Sequence, residues 1–145
     1  MEVMADFNAK EFFELGLKIA HAHDYECGYR TAIGRLYYAC HLIGIDATEQ
    51  KGWFSPKYGA PDHSALWRVL KEHHVRGVGD KLRELVELRE HADYHIKKRS
   101  TGGCQYCEHV AEGVNLVNKQ TWERAESIAS DILPKLEAIY PQQHK

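Results

Sequence analysis

Apolar residues recur three and four positions apart through almost the whole chain, and no stretch alternates apolar with polar as a half-buried strand must. A chain with only that period can bury its stripes in one way, by packing helix on helix, so an all-α bundle is predicted. The period places a first helix over about 8–22 (NAKEFFELGLKIAHA), with Asn8 or Asp6 as N-cap, and a second over about 25–44 (YECGYRTAIGRLYYACHLIG). A short third helix lies in HSALWRVLKEHH, behind Pro61 and Asp62. A fourth, with Asp80 as N-cap, includes LRELVELREHADYHIKKR, residues 82–99. A last helix over about 121–140 should be kinked at Pro134, which lacks a backbone donor. Two longer segments, DATEQKGWFSPKYGAPD and STGGCQYCEHVAEGVNLVN, read as irregular, the first because of Gly52, Pro56, Gly59 and Pro61. With 145 residues, four or five helices share one core, and residues 1–145 form one domain.

Charge narrows the classes of function. A formal net charge of −2 provides no global positive field, so binding to nucleic acid would have to come from a local patch. No apolar run approaches a membrane span, and the opening MEVMADFNAKEFF lacks a basic n-region and an apolar core; the expectation is a cytoplasmic protein that does not engage membranes. In that compartment Cys27, Cys40, Cys104 and Cys107 are expected as thiols. No phosphate-binding glycine loop, HExxH or GxSxG pattern is present.

Several residues depart from a plain bundle pattern. Advancing about 100° per residue, Leu82, Leu85, Val86, Ala92 and Ile96 share a face, and Arg89 and Asp93 fall in its middle. They are four apart and can pair, either as a buried structural ion pair or as part of a functional site. Helix two has an inner stripe of Tyr29, Ala32, Leu36, Ala39, Cys40 and Ile43, yet Arg30, Gly34, Tyr37 and His41 line its other side, with Tyr38 beside them. That second face is expected to be covered by a loop, another helix or a second protomer. A homodimer interface is preferred because Tyr and Arg are typical interface residues. The segment with Lys51, Trp53, Phe54, Lys57 and Tyr58 could stack bases or lie as a lid. Cys104 and Cys107 form a lone CxxC. A structural zinc site needs four ligands, and although His109 or another histidine could complete one, thiols without metal are expected, a zinc-stabilised adaptor being the competing reading. The run Lys97 to Arg99 complements the helix-four dipole and could also hold a phosphate.

YRTAIGRLYYACH on helix two, HSALWRVL on helix three and LVELREHADYH on helix four together resemble the HEPN domain family, most closely small prokaryotic members with R-x-YYA and R-x-x-A-D-Y motifs. The closing WERAESIASDILPKLE resembles that group's last helix, and the likeness runs from about residue 10 to 140. It implies a four-helix bundle with an additional short helix, usually dimeric, that acts on or binds RNA or nucleotides without a cofactor. Many members are metal-independent endoribonucleases of defence or toxin–antitoxin systems using an R-x(4–6)-H motif, which Arg89 and His95 satisfy, as do Arg35 and His41. By that resemblance Arg89 contacts phosphate and His95 is general acid or base, with Asp93, Tyr94, Arg35, Tyr38, His41 and Lys97 supporting. On a regular helix Arg89 and His95 point about 120° apart, so they converge only if the helix breaks between them or a second protomer supplies one. The alternative is a non-catalytic interaction module that partners a nucleotidyltransferase, an antitoxin or another chain.

Overall fold

A computed structural model describes residues 7–96, 104–108 and 116–141. Asp6, Lys97 to Arg99 and His109 lie outside the described residues. Six helices are seen: α1 (Lys10–Ala22), α2 (Glu26–Gln50), α3 (Asp62–Glu72), α4 (Val78–Tyr94), α5 (Gln105–Glu108) and α6 (Lys119–Ile139). There is no strand among the described residues. The protein is an all-α bundle.

α2 is the axis, packed against α1, α4 and α6, with α3 bracing α4. A helix surrounded in this way must be apolar on more than one side. Accordingly Ala32, Ile33, Leu36, Tyr37, Ala39 and Cys40 are all fully buried. Leu66 and Leu70 of α3, Leu82, Leu85 and Leu88 of α4, and Ile128, Ile132 and Leu136 of α6 complete the core. Each such side chain contributes on the order of 2 kcal/mol of apolar burial before entropy is charged against it. At the α1–α2 corner a Cβ on Gly28 would collide with the His23 carbonyl oxygen, so glycine is required there.

The helices differ from the periodicity at several points. α2 continues through Asp46–Gln50 because Ile45, Ala47 and Thr48 extend its buried surface, and the Thr48 hydroxyl donates to the Gly44 carbonyl at 2.8 Å. It stops at Gly52, whose φ of 73° turns the chain so that the Trp53 amide reaches back to the Thr48 carbonyl at 2.9 Å. Asp80 is not an N-cap. α4 starts earlier, behind Gly77 at φ 72°, and Asp80 pairs instead with Lys71 at 2.9 Å. The Cys-containing segment, read as irregular, holds the single turn α5.

At the other ends, Asn118 caps α6 by accepting the Thr121 amide at 3.0 Å, and α6 runs on as one helix through an exposed Pro134. Asn8, one residue ahead of the boundary, accepts the Lys10 amide at 3.1 Å. Among the described residues no helix is long and apolar enough to cross a membrane.

Candidate functional site

α2, α3 and α4 bring three tyrosines, two imidazoles and two guanidiniums together around the middle of α2. From α4, Arg89 sets its guanidinium 5.7, 5.5 and 5.5 Å from the ring centres of Tyr37, Tyr38 and Tyr94. Its Nη2 donates to the Tyr38 hydroxyl at 3.3 Å. Arg35 of α2 lies 5.8 Å from the Tyr38 ring and 5.2 Å from Phe12. The two arginines therefore share Tyr38. Such cation–ring contacts contribute about 1 kcal/mol each where partly desolvated.

Asp93 lies beside Arg89, its Oδ2 2.8 Å from Nε. The Nε hydrogen is not aimed along this contact, so the pairing is chiefly electrostatic; the Nε of Arg35, by contrast, is buried with no acceptor among the described residues. The side chain of Arg89 is 15% exposed and that of Asp93 34%. The pair thus sits at the rim of the bundle, and Ile96, grouped with the same face by periodicity, is 71% exposed. α4 ends at Tyr94, so the face stops being a core face just where Asp93 and Ile96 fall.

Tyr37 links Arg89 to two histidines. Its hydroxyl hydrogen-bonds with Nδ1 of His63 and lies 3.2 Å from Nδ1 of His41, and the two imidazoles stack with centres 4.5 Å apart. Burial, and after it the neighbouring His63, pushes the His41 imidazole down to about 4. Burial and then the Arg89 charge also lower His63. Both rings are therefore neutral at pH 7. Burial raises the Tyr37 phenol. Asp62, at the start of α3, accepts the Lys57 and Tyr58 amides at 3.0 and 2.8 Å. Burial opposes its ionisation, but these amides outweigh burial and hold the carboxyl below its usual range.

Of the residues singled out from the sequence, Arg89, Asp93, Tyr94, Arg35, Tyr38, Tyr37 and His41 gather here. His95 does not. The helix does break after Tyr94, but the break turns His95 toward Cys107, whose Sγ is 3.8 Å from its Nδ1. Lys97 lies outside the described residues. His63 opens the HSALWRVL stretch of α3, but that stretch assigned it no role; only folding brings it beside Tyr37.

The second face of α2 is covered within the chain. Arg30 donates from Nη1 to the Ala92 carbonyl at 2.7 Å and from Nη2 to that of His95 at 3.0 Å. Gly34 faces Asp93, Tyr37 is fully buried and His41 nearly so. The burial of Arg30, Gly34, Tyr37 and His41 needs no second protomer. In the segment after α2, Trp53 stacks on His73 at 4.1 Å and Phe54 packs on the core, so these rings are already engaged; Tyr58 is exposed. A separate groove of about 530 Å³, lined among others by Leu17, Tyr29 and Trp122, shares no residue with the Arg89 cluster.

No known protein family, curated protein or solved structure matches the chain.

Proposed function

We propose that the chain is a HEPN-like protein that binds RNA or nucleotide phosphate at Arg89 and Arg35, within a defence or toxin–antitoxin setting. The observation that carries the reading is the sharing of Tyr38 by two guanidiniums, Arg89 held by Asp93 and Arg35 with a buried Nε–H that meets no acceptor among the described residues. Buried polar hydrogens without partners are costly, and natural proteins retain them mainly where a site has a use for them. Two arginines beside aromatic rings suit phosphate and stacked bases.

Neutral His63 is the imidazole on the Arg89 side that is able to take a proton, which is what attack by a ribose 2′-hydroxyl requires. Cleavage by that route leaves a cyclic phosphate. In this reading His63 takes the part that the R-x(4–6)-H spacing assigns to His95.

The test is anisotropy of labelled single-stranded RNA, with cleavage of mixed RNA followed in magnesium-free buffer. Arg89→Ala and Arg35→Ala should each weaken binding about 10-fold or more, the usual worth of a charged hydrogen bond. A deoxyribose at the cleaved position should block cutting, and His63→Ala should slow it by about 10²-fold. If wild type neither binds nor cuts RNA, the interaction-module reading replaces this one, with a nucleotidyltransferase or antitoxin as partner. The observation favouring that reading is the exposure of Tyr94, whose ring lies 5.5 Å from the Arg89 guanidinium, and of Ile96 two residues on.

A further inference from the structure

His91 and His95 stand four residues apart at the end of α4, and Cys104 and Cys107 flank the first residues of α5. The four ligand atoms they offer all lie within 4.8 Å of one another. His91 Nδ1 is 3.5 Å from the Cys104 sulfur and 3.2 Å from the Cys107 sulfur, and His95 Nδ1 is 3.8 Å from the latter. A tetrahedral zinc with Zn–S of about 2.3 Å and Zn–N of about 2.0 Å sets its N···S edges near ~3.5 Å. Three of the four N···S edges of the cluster, at 3.2 to 3.8 Å, already lie around that value.

A second, independent observation concerns the back of the His91 ring. Its Nε2 lies 2.7 Å from the Leu116 carbonyl, which accepts only if Nε2 carries the proton. That bond fixes the tautomer and leaves the Nδ1 lone pair facing both sulfurs. A backbone carbonyl behind a histidine is the usual way proteins orient a metal-binding imidazole. Without a metal, two thiols converge on one lone pair, which can accept from only one of them well. The His91 side chain is fully buried, so solvent does not relieve the crowding.

The third observation is α5 itself. Four residues cannot hold a helical turn by propensity. Two side-chain bonds reach it from α4, Gln105 to Glu87 and Tyr106 to Glu84, each at 2.7 Å. The connection between α4 and α6 is otherwise long for a compact bundle.

We propose that His91, His95, Cys104 and Cys107 bind one Zn²⁺ in a closed tetrahedral site that staples the α4–α6 connection to the bundle. Binding releases the two thiol protons, and two thiolates with two neutral imidazoles balance the dication. Four protein ligands leave no open position for a substrate, so the site is structural. It reverses the expectation of metal-free thiols, which allowed that His109 or another histidine could join the cysteines of CQYC but did not pair them with His91 and His95. It is independent of the phosphate reading at Arg89, although a zinc-bound His95 is not available for proton transfer.

The experiment uses the full chain purified without chelator. Elemental analysis should find close to one zinc per chain, falling to background in Cys104→Ser/Cys107→Ser. Because that variant could fail to fold, wild type is also stripped and titrated with Co²⁺ alone. Tetrahedral coordination then gives intense visible bands with a thiolate charge-transfer band, and added Zn²⁺ bleaches them and raises the melting temperature. Zinc far below one per chain, with no cobalt bands and no thermal shift, overturns the site. So does iron in place of zinc, or a Cys104–Cys107 disulfide that after reduction takes up neither ion.

Discussion

Arg30 reaches from α2 across to the end of α4 and donates to the His95 carbonyl at 3.0 Å, while its other nitrogen bonds the Ala92 carbonyl at 2.7 Å. The last carbonyls of a helix have no partner in their own helix and carry its negative pole. A guanidinium from the central helix supplies both donors and charge. Glu26, 2.8 Å from Arg30, holds it in place.

Arg30→Met keeps much of the side-chain length and removes every donor. It should lower unfolding free energy by about 2 kcal/mol, the range of a charge-assisted hydrogen-bond set partly open to water. Urea melts check this, and an unchanged midpoint would mean that water caps α4 equally well.

The Arg89–Asp93 pair lies at the rim, and its cost of disruption should follow. Asp93→Ala should cost about 1 kcal/mol or less, since Asp93 is a third exposed and the Arg89 charge keeps its ring contacts. A loss near ~3 kcal/mol in the same melts would be the signature of a fully buried pair.

His41 makes stability depend on pH with a definite sign. Unfolded, it takes a proton near its ordinary 6.5; folded, burial and His63 delay this to about 4. The unfolded state therefore binds more protons across that window, and stability falls as pH drops from 6.5 to about 4. The loss is on the order of 3 kcal/mol at most. Asp62 and Arg89, the charged groups nearest this ring, act in opposite directions, and burial dominates both. His41→Phe should flatten this part of the profile in melts taken across the window.

Tyr37 separates a covered face from an interface. Tyr37→Glu places a carboxylate at a position with no exposure, and should unfold the chain by circular dichroism. Tyr37→Phe, losing only the hydroxyl bonds to His41 and His63, should cost about 1–2 kcal/mol. A Tyr37→Glu protein that folds and merely sediments as a smaller species would restore the interface reading.

Helical periodicity by itself determined the class of fold, because a 3.6-residue repeat leaves a chain no other way to bury its stripes. It also located α1, α3 and α6 within a few residues, and it marked Arg89, Asp93, Tyr37 and His41 as misfits. Their placement was beyond it. A helical wheel reports the face of a residue but not which element covers that face, nor where the covering ends. So Asp93 read as buried when the bundle stops beside it, and the Arg30–His41 face read as open to a second protomer when α3 and α4 close it. His91 and His95 precede Cys104 and Cys107 as H-x3-H-x8-C-x2-C, a legible signal only once both pairs are counted together. Tertiary structure alone decided that His95 turns from Arg89 toward Cys107 and that His63 stands in the Arg89 cluster. Both depend on distances between separate helices, and no local pattern encodes those.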